Sequence, residues 1–205
     1  MSQGWPAVLH DGAVGLRPLR LRDAAAWSQV RLRNEQWLAP WEGRPPTVAA
    51  QSWQERHTTS AFTLMARVHR KEAREGRALP FAVTVAGRLA GQVTVSSVVR
   101  GAFQSGSIGY WVDEREAGRG VATTAVALVL DHCFGPVGLH RVEASVRPEN
   151  ARSLRVIDKL GFRPEGLRER LLFIDEAWRD HLGFALTADD QPEGVLRRLQ
   201  SRHTA

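Results

Sequence analysis

The apolar positions along the chain change period several times, and each change predicts an element. Val14-Gly15-Leu16-Arg17-Pro18-Leu19 reads as a short strand. Arg22-Asp23 then opens an amphipathic helix carrying Ala26, Trp27, Val30, Leu32 and Trp37. The prolines and glycine of Leu38–Pro46 stop it. Thr47 is placed to cap a second helical stretch running through Trp53, Phe62, Leu64, Met65 and Val68 to the charged run His69–Gly76, which reads as a solvated helix end. The middle of the chain is β. Pro80–Ala86 and Leu89–Val99 are two strands joined by a tight turn at Gly87-Arg88, and Ser107–Val112 is a third. After Gly118-Arg119-Gly120 comes a helix, Val121–Phe134, apolar enough to be buried on more than one face. Arg141–Val146 is again a strand, Ala151–Leu160 a helix ended by Gly161, and two strands, about 162–174 and 178–186, close the pattern. Hairpins first and a strand-helix-strand crossover afterwards predict an α+β fold: one mixed, mostly antiparallel sheet with helices on both faces. The expected boundaries are a polar lead-in over 1–12, a single domain over 13–188, and a polar, basic tail over 189–205.

Composition narrows the function classes. At about 100–200 residues per domain, 205 residues fit one domain with short tails. No apolar run approaches the roughly 18 residues needed to cross a membrane, and the first twelve residues lack the pattern of a secretory leader. A single cysteine, Cys133, forbids an internal disulfide framework or a multi-cysteine zinc site, and a reducing cytoplasm is the expected setting. With no helical His-x-x-x-His pair either, no metal is expected. Cys133 sits inside the apolar helix and reads as packing rather than nucleophile. The net charge of +6 suits RNA, a ribosome or a phosphate-rich small ligand equally well.

The most informative segment is Tyr110-Trp-Val-Asp-Glu-Arg115-Glu-Ala-Gly118-Arg119-Gly120-Val121-Ala122-Thr123, where two glycines separate a strand from an apolar helix. The first amides of a helix have no internal acceptor, the helix dipole favours an anion there, and glycine lets phosphate oxygens approach the main chain. Arg115 and Arg119 would add countercharge. The plainer reading, a glycine turn before a core helix with two surface arginines, stays open on spacing alone. A P-loop would need Gly-Lys-Ser/Thr, which is absent; a dinucleotide turn would need a third glycine where Thr123 stands.

Arg-x-x-Gly-x-Gly after a Tyr-Trp-Val strand resembles the pyrophosphate turn of the GNAT superfamily of acetyl-CoA-dependent N-acetyltransferases. Arg141–Gly166, with Asn150-x-x-Ser153 and Gly161-Phe162-x-x-Glu165-Gly166, resembles the branch that acetylates the N-termini of ribosomal proteins. Asn34–Glu42, Val98–Phe103 and Ile174–His181 are similar to the bacterial ribosomal-protein alanine acetyltransferases of that branch, and the match spans about residues 13–188.

The resemblance implies a GNAT fold whose sheet splays between Ile108–Asp113 and Arg141–Val146. It implies acetyl-CoA as cosubstrate: backbone groups of Trp111 and Val112 on the pantetheine and acetyl carbonyl, and Arg115, Gly118, Arg119, Gly120, Val121, Ala122 and Thr123 around the pyrophosphate. Asn150 would bond the pantetheine, although as the residue before a helix it is equally a plain N-cap. Ser153 is the candidate donor to the departing sulfur. The general base is less defined. Ser107 stands where many relatives carry Glu, and Leu172 where one related subfamily has a proposed Glu. Water or Glu42 would then take the proton, or Glu42 would bind the incoming ammonium. Trp41 would wall the acceptor groove, and Asp180 would either help bind the acceptor or pair with Arg179. The expected partner is a protein N-terminus, with ribosome or RNA contact open, as monomer or homodimer. Two other readings stand beside this one: the same fold acting on a small-molecule amine or lysine, and a ribosome- or RNA-binding factor in which acetyl transfer is secondary.

Overall fold

Burial follows the alternation of the strands. In the computed structural model, which describes residues 3–48 and 51–204, eight strands form one sheet in the order β1-β2-β3-β4-β5-β6-β8-β7. These are β1 (Leu9–Asp11), β2 (Val14–Pro18), β3 (Leu79–Val85), β4 (Arg88–Val99), β5 (Ser105–Val112), β6 (Arg141–Val146), β7 (Arg163–Ile174) and β8 (Ala177–Thr187). Seven helices accompany them: α1 (Ala24–Arg33), α2 (Glu35–Leu38), α3 (Trp53–Arg56), α4 (Thr59–Arg74), α5 (Val121–Phe134), α6 (Ala151–Leu160) and α7 (Val195–Thr204). β6 shows the alternation most cleanly: Val142, Ala144 and Val146 are buried while Arg141, Glu143 and Ser145 are half-exposed. Every neighbouring pair is antiparallel except β5 and β6. The α+β, mostly antiparallel architecture expected from the sequence is therefore the observed one.

The two faces carry different cores. On one side α5, α6 and α7 bury Val126, Leu130, Ile157, Leu160, Val195 and Leu199 against the sheet. On the other, α1 and α4 bring Trp27, Phe62 and Ala66 over Leu19 and Ala82. α5 is apolar almost all round because it packs against both sheet and helices, and Cys133 lies fully buried within it.

Three differences from the sequence reading have physical causes. The second helical stretch does not start at Thr47, which lies in a short 3-10 turn. The side chains of Ser52 and Thr58 accept amides of Glu55 and Ala61, so α3 and α4 begin there. The lead-in contributes β1, paired to β2, and Trp5 packs edge-on against Phe81 with ring centroids 4.9 Å apart. The tail contributes α7, whose Val195 and Leu199 are buried and whose first amides, of Val195 and Leu196, donate to the Asp131 carboxylate at 2.6 and 3.1 Å. That carboxylate caps a helix 64 residues downstream, a pairing no local pattern reveals.

The site is set by one irregularity of the sheet. β5 and β6 pair only over Ser105–Ser107 against Arg141–Glu143; beyond that the strands part. The gap opens towards the start of α5.

Candidate active site at the splayed strands

A cleft of about 640 Å³ lies in this gap. Its walls are the end of β5, the two-glycine turn, one face of α6, and the 31–42 region of α1, α2 and the loop behind them.

The direction of the β5 amides follows from register. Asp113 N–H donates to Ala90 O at 2.7 Å, so Asp113 and, two residues back, Trp111 turn their backbone groups towards β4. Val112 and Tyr110 turn theirs the other way, into the gap, as the Val112 carbonyl confirms by accepting Trp37 Nε1–H at 3.1 Å. The Val112 amide therefore faces the cleft, whereas the backbone of Trp111, expected to do the same, is taken up by the β4 ladder. Trp111 still lines the cleft through its side chain.

The turn after β5 is built to leave amides open. Gly118 and Gly120 both sit at φ +77°, and a Cβ at either would meet no atom within 4 Å. Glycine is thus required by backbone conformation and not by packing within the protein. Gly120 is the N-cap of α5 and supplies no side chain, so the amides of Val121, Ala122 and Thr123 lack an intrahelical acceptor; the first such bond runs from Thr124 N to Gly120 O at 2.9 Å. Gly118, Gly120, Val121, Ala122 and Thr123 all line the cleft; Arg115 and Arg119 do not. Both are exposed, and Arg119 reaches Glu116 at 3.4 Å. Besides Arg31 at the acceptor end, the cations that line the cleft are Arg152, Arg155 and Lys159 of α6, at one-face helical spacing, with the Arg152 guanidinium stacked 4.1 Å from the Trp37 ring centroid. That spacing was the available signal for them.

Asn150 caps α6: its Oδ1 accepts Ser153 N–H at 3.1 Å. The cap is therefore real, and it leaves the amide NH2 of Asn150 on the cleft wall, where Asn150 and Ser153 both lie. Opposite Ser153 stands Tyr110, which the sequence reading did not single out although strand alternation pairs it with Val112. Its hydroxyl reaches Ser153 O at 3.5 Å, and burial pushes the phenol up to about 12, so it stays protonated.

The acceptor end is dominated by a buried cation. Arg31 is 4% exposed, with its guanidinium 4.7 Å from the Trp53 ring, 4.9 Å from Trp111 and 5.7 Å from Trp27. Burial, then the neighbouring Arg56, lowers its pKa to about 9. Glu42 lies in the cleft wall as expected, but one carboxylate oxygen meets Arg31 and the other Arg56 at 2.7 Å. Both carboxylate oxygens are thus engaged by guanidiniums, which leaves neither facing an incoming amine and argues against proton abstraction by Glu42. Behind it His57 donates Nδ1–H to Trp53 O at 2.8 Å and accepts from Arg31 at Nε2, also 2.8 Å. Burial, then Arg31, lowers its pKa to about 4, so it is neutral near pH 7. Trp41 lines the cleft, with the Arg147 guanidinium 5.5 Å from its ring. Asp180 does not line it. Its carboxylate accepts Arg170 N–H at 2.8 Å across the β7-β8 hairpin, and Arg179 pairs with Asp175 instead.

The mouth is clamped from α1. Arg33 and Asn34 both bond the buried Asp113 carboxylate; burial alone would raise its pKa, and these donors outweigh it and hold it low. Cys133 faces the core, where burial pushes its thiol up to about 12, and it takes no part in the cleft. Among the described residues no cluster of three or more His, Cys, Asp or Glu side chains is arranged to hold a metal. Nor is any described helix long and apolar enough to cross a membrane.

Comparison with known proteins agrees with this geometry. The structure of Mycobacterium smegmatis RimJ in complex with CoA-disulfide superposes with a TM-score of 0.95 at 45% identity, covering 99% of this chain and 98% of that one. The [Ribosomal protein uS5]-alanine N-acetyltransferase of Escherichia coli (strain K12) is 30% identical over 177 residues, 84% of this chain and 87% of that protein. "Probable N-acetyltransferase YjcK" of Bacillus subtilis (strain 168) is 43% identical over 105 residues, which span 51% of this chain and 58% of the relative. Residues 13–163 match the acetyltransferase (GNAT) domain, and the chain belongs to that family of N-acetyltransferases.

Proposed function

We propose that the chain transfers the acetyl group of acetyl-CoA directly to the N-terminal amine of a protein, an alanine of a ribosomal protein being the favoured acceptor. The observation that carries this is the splay of β5 from β6, which aims the Val112 amide into a cleft continuous with the uncapped start of α5. A pyrophosphate fits the amides of Val121, Ala122 and Thr123, and a pantetheine arm fits the backbone edge of Val112 and the side-chain amide of Asn150. Two relatives that cover most of this chain support the acceptor class: one is RimJ, the other acts on the alanine of ribosomal protein uS5.

Acetyl-CoA supplies an activated thioester. The protein's part is to place the Val112 N–H where negative charge grows on the acetyl oxygen, and the Ser153 hydroxyl where the sulfur departs. Trp41 and the Trp111 ring wall the acceptor end, and Glu42 serves as the counterion of Arg31 and Arg56. No carboxylate base is required. An α-amine has a pKa of about 7.7–8.0, so roughly 10% is already neutral at pH 7, whereas a lysine near 10.4 is well under 0.1% neutral. Water takes the proton. A cytoplasmic setting belongs to the same reading.

The test is thiol release from acetyl-CoA with two peptides, one bearing a free N-terminal alanine and one with a blocked terminus and a free lysine, with products located by mass spectrometry. Acetylation confined to the free terminus is expected, with kcat/KM rising through pH 8 and the same profile in Glu42→Gln. Acetylation of the lysine peptide, or of neither peptide despite acetyl-CoA binding, would overturn the N-terminal reading.

A further inference from the structure

The outer face of α4 has no role in the cleft. Arg67, Arg70, Lys71 and Arg74 stand at i, i+3, i+4 and i+7, on one face of the helix, and all four are exposed. None forms an ion pair among the described residues. The two acids nearby are committed elsewhere: Glu72 lies 3.5 Å from His69, and Glu75 pairs with Arg77. The adjoining face of α4, through Phe62, Ala66 and Ala73, is buried.

Between the basic face and the sheet lies a second cavity, of about 280 Å³. Arg70 and Arg74 form its rim on the α4 side and Arg20 on the other, while Trp5, Pro6 and Pro80 supply flat apolar walls. Its volume is close to the roughly 300 Å³ of the smallest small-molecule pockets, enough for one planar heterocycle. It shares no lining residue with the active-site cleft. It sits beside the start of β3, where Pro80 pairs with Thr94 of β4, whereas the cleft lies two strands away at the end of β5, past Val112.

We propose that this face of α4 and the adjoining cavity bind single-stranded RNA, with phosphates on Arg67, Arg70, Lys71 and Arg74 and one unstacked base against Trp5 and the prolines. Charge fits the backbone: unpaired cations in a row meet phosphates spaced along a strand, and each contact releases counterions. An apolar slot rimmed by arginines is what a splayed base and its flanking phosphates require, and a duplex, whose bases are stacked away, cannot fill it. The two sites share no lining residue and are set on different strands, β3 and the end of β5, so the protein is able to hold RNA while an N-terminus enters the active site. The inference stands on α4 and the cavity alone and does not depend on which amine is acetylated.

The test is fluorescence anisotropy of the full chain with a labelled mixed-sequence 12-nucleotide RNA, titrated at several salt concentrations. Comparison ligands are the same RNA annealed to its complement and polyglutamate as competitor. The second protein is Arg67→Gln/Arg70→Gln/Lys71→Gln/Arg74→Gln, four exposed changes to a residue of similar helix propensity. Circular dichroism and acetyl transfer verify its fold. The wild type should bind the single strand with a log-log salt slope of about −3, at about −0.7 per phosphate contact. In the variant, affinity should fall at least tenfold and the slope flatten, with acetyl transfer unchanged. Equal binding by a folded variant, no binding by the wild type at 50 mM salt, preference for the duplex, or displacement by polyglutamate at equal charge would each overturn the proposal.

Discussion

Gly120 shows how much of the site is backbone. At φ +77° an alanine is strained by about 1–2 kcal/mol, yet its Cβ would meet no protein atom within 4 Å. Gly120→Ala should therefore fold with only that modest loss of stability, while the KM for acetyl-CoA rises more than tenfold because the methyl group stands where phosphate oxygens approach. Paired denaturation and kinetic measurements check the split. His57 makes the opposite case, a side chain whose charge state matters for stability. Its folded pKa, lowered to about 4, lies below the ordinary value of 6.5, so between those values the unfolded chain binds more protons. Stability carried by neutral His57 is full above pH 6.5 and is lost as pH falls towards 4, by as much as about 3 kcal/mol at roughly 1.4 kcal/mol per unit. Urea unfolding from pH 7.5 to 4.5 should show that decline, and His57→Gln should remove this part of it. His69, His132 and His181, also held low by burial, add to the decline in the same direction.

Among the elements, legibility in the sequence tracked how local the physics is. The run from β5 through the glycine turn, α5, β6 and α6 was readable because each boundary carries its own signal: Gly120 and Gly161 at helix ends, Asn150 before α6, strict alternation in β6. The cluster around Glu42 was not, because Arg31, Arg56 and His57 come from α1, α3 and the turn after α3, and only packing brings them together. Arg115 and Arg119 lie next to the glycines in sequence yet point away from the cleft, while the cations of α6 reach it from across the gap. α7 was missed because its anchor, Asp131, belongs to α5. Deleting residues 191–205 should accordingly unseat the back of α5 as well as remove α7. Two apolar side chains at about 1.5–3 kcal/mol each, Val195 and Leu199, lose their burial, so thermal melting should show a drop of at least several degrees and weaker acetyl-CoA binding despite an untouched glycine turn.

At the scale of the whole molecule the sequence was a good guide to class and a poor one to surface. Sheet, helices and reaction family were legible, while the net charge of +6 said nothing of where the cations gather. The structure gathers some of them at three places: the buried Arg31 at the acceptor end, the α6 row beside the glycine turn, and the exposed α4 row away from the cleft. It also shows how lightly the two parts of the sheet are stitched. Three register pairs join β5 to β6, and past them the strands share only a cleft, so β1–β5 and β6–β8 are held together chiefly by the helices packed behind them. A polypeptide divided in the turn between α5 and β6, near Gly138, would yield one piece carrying the phosphate turn and another carrying Asn150 and Ser153. Neither piece alone has a complete active site, which makes this seam a natural place to build a split enzyme whose activity reports that its two halves have met.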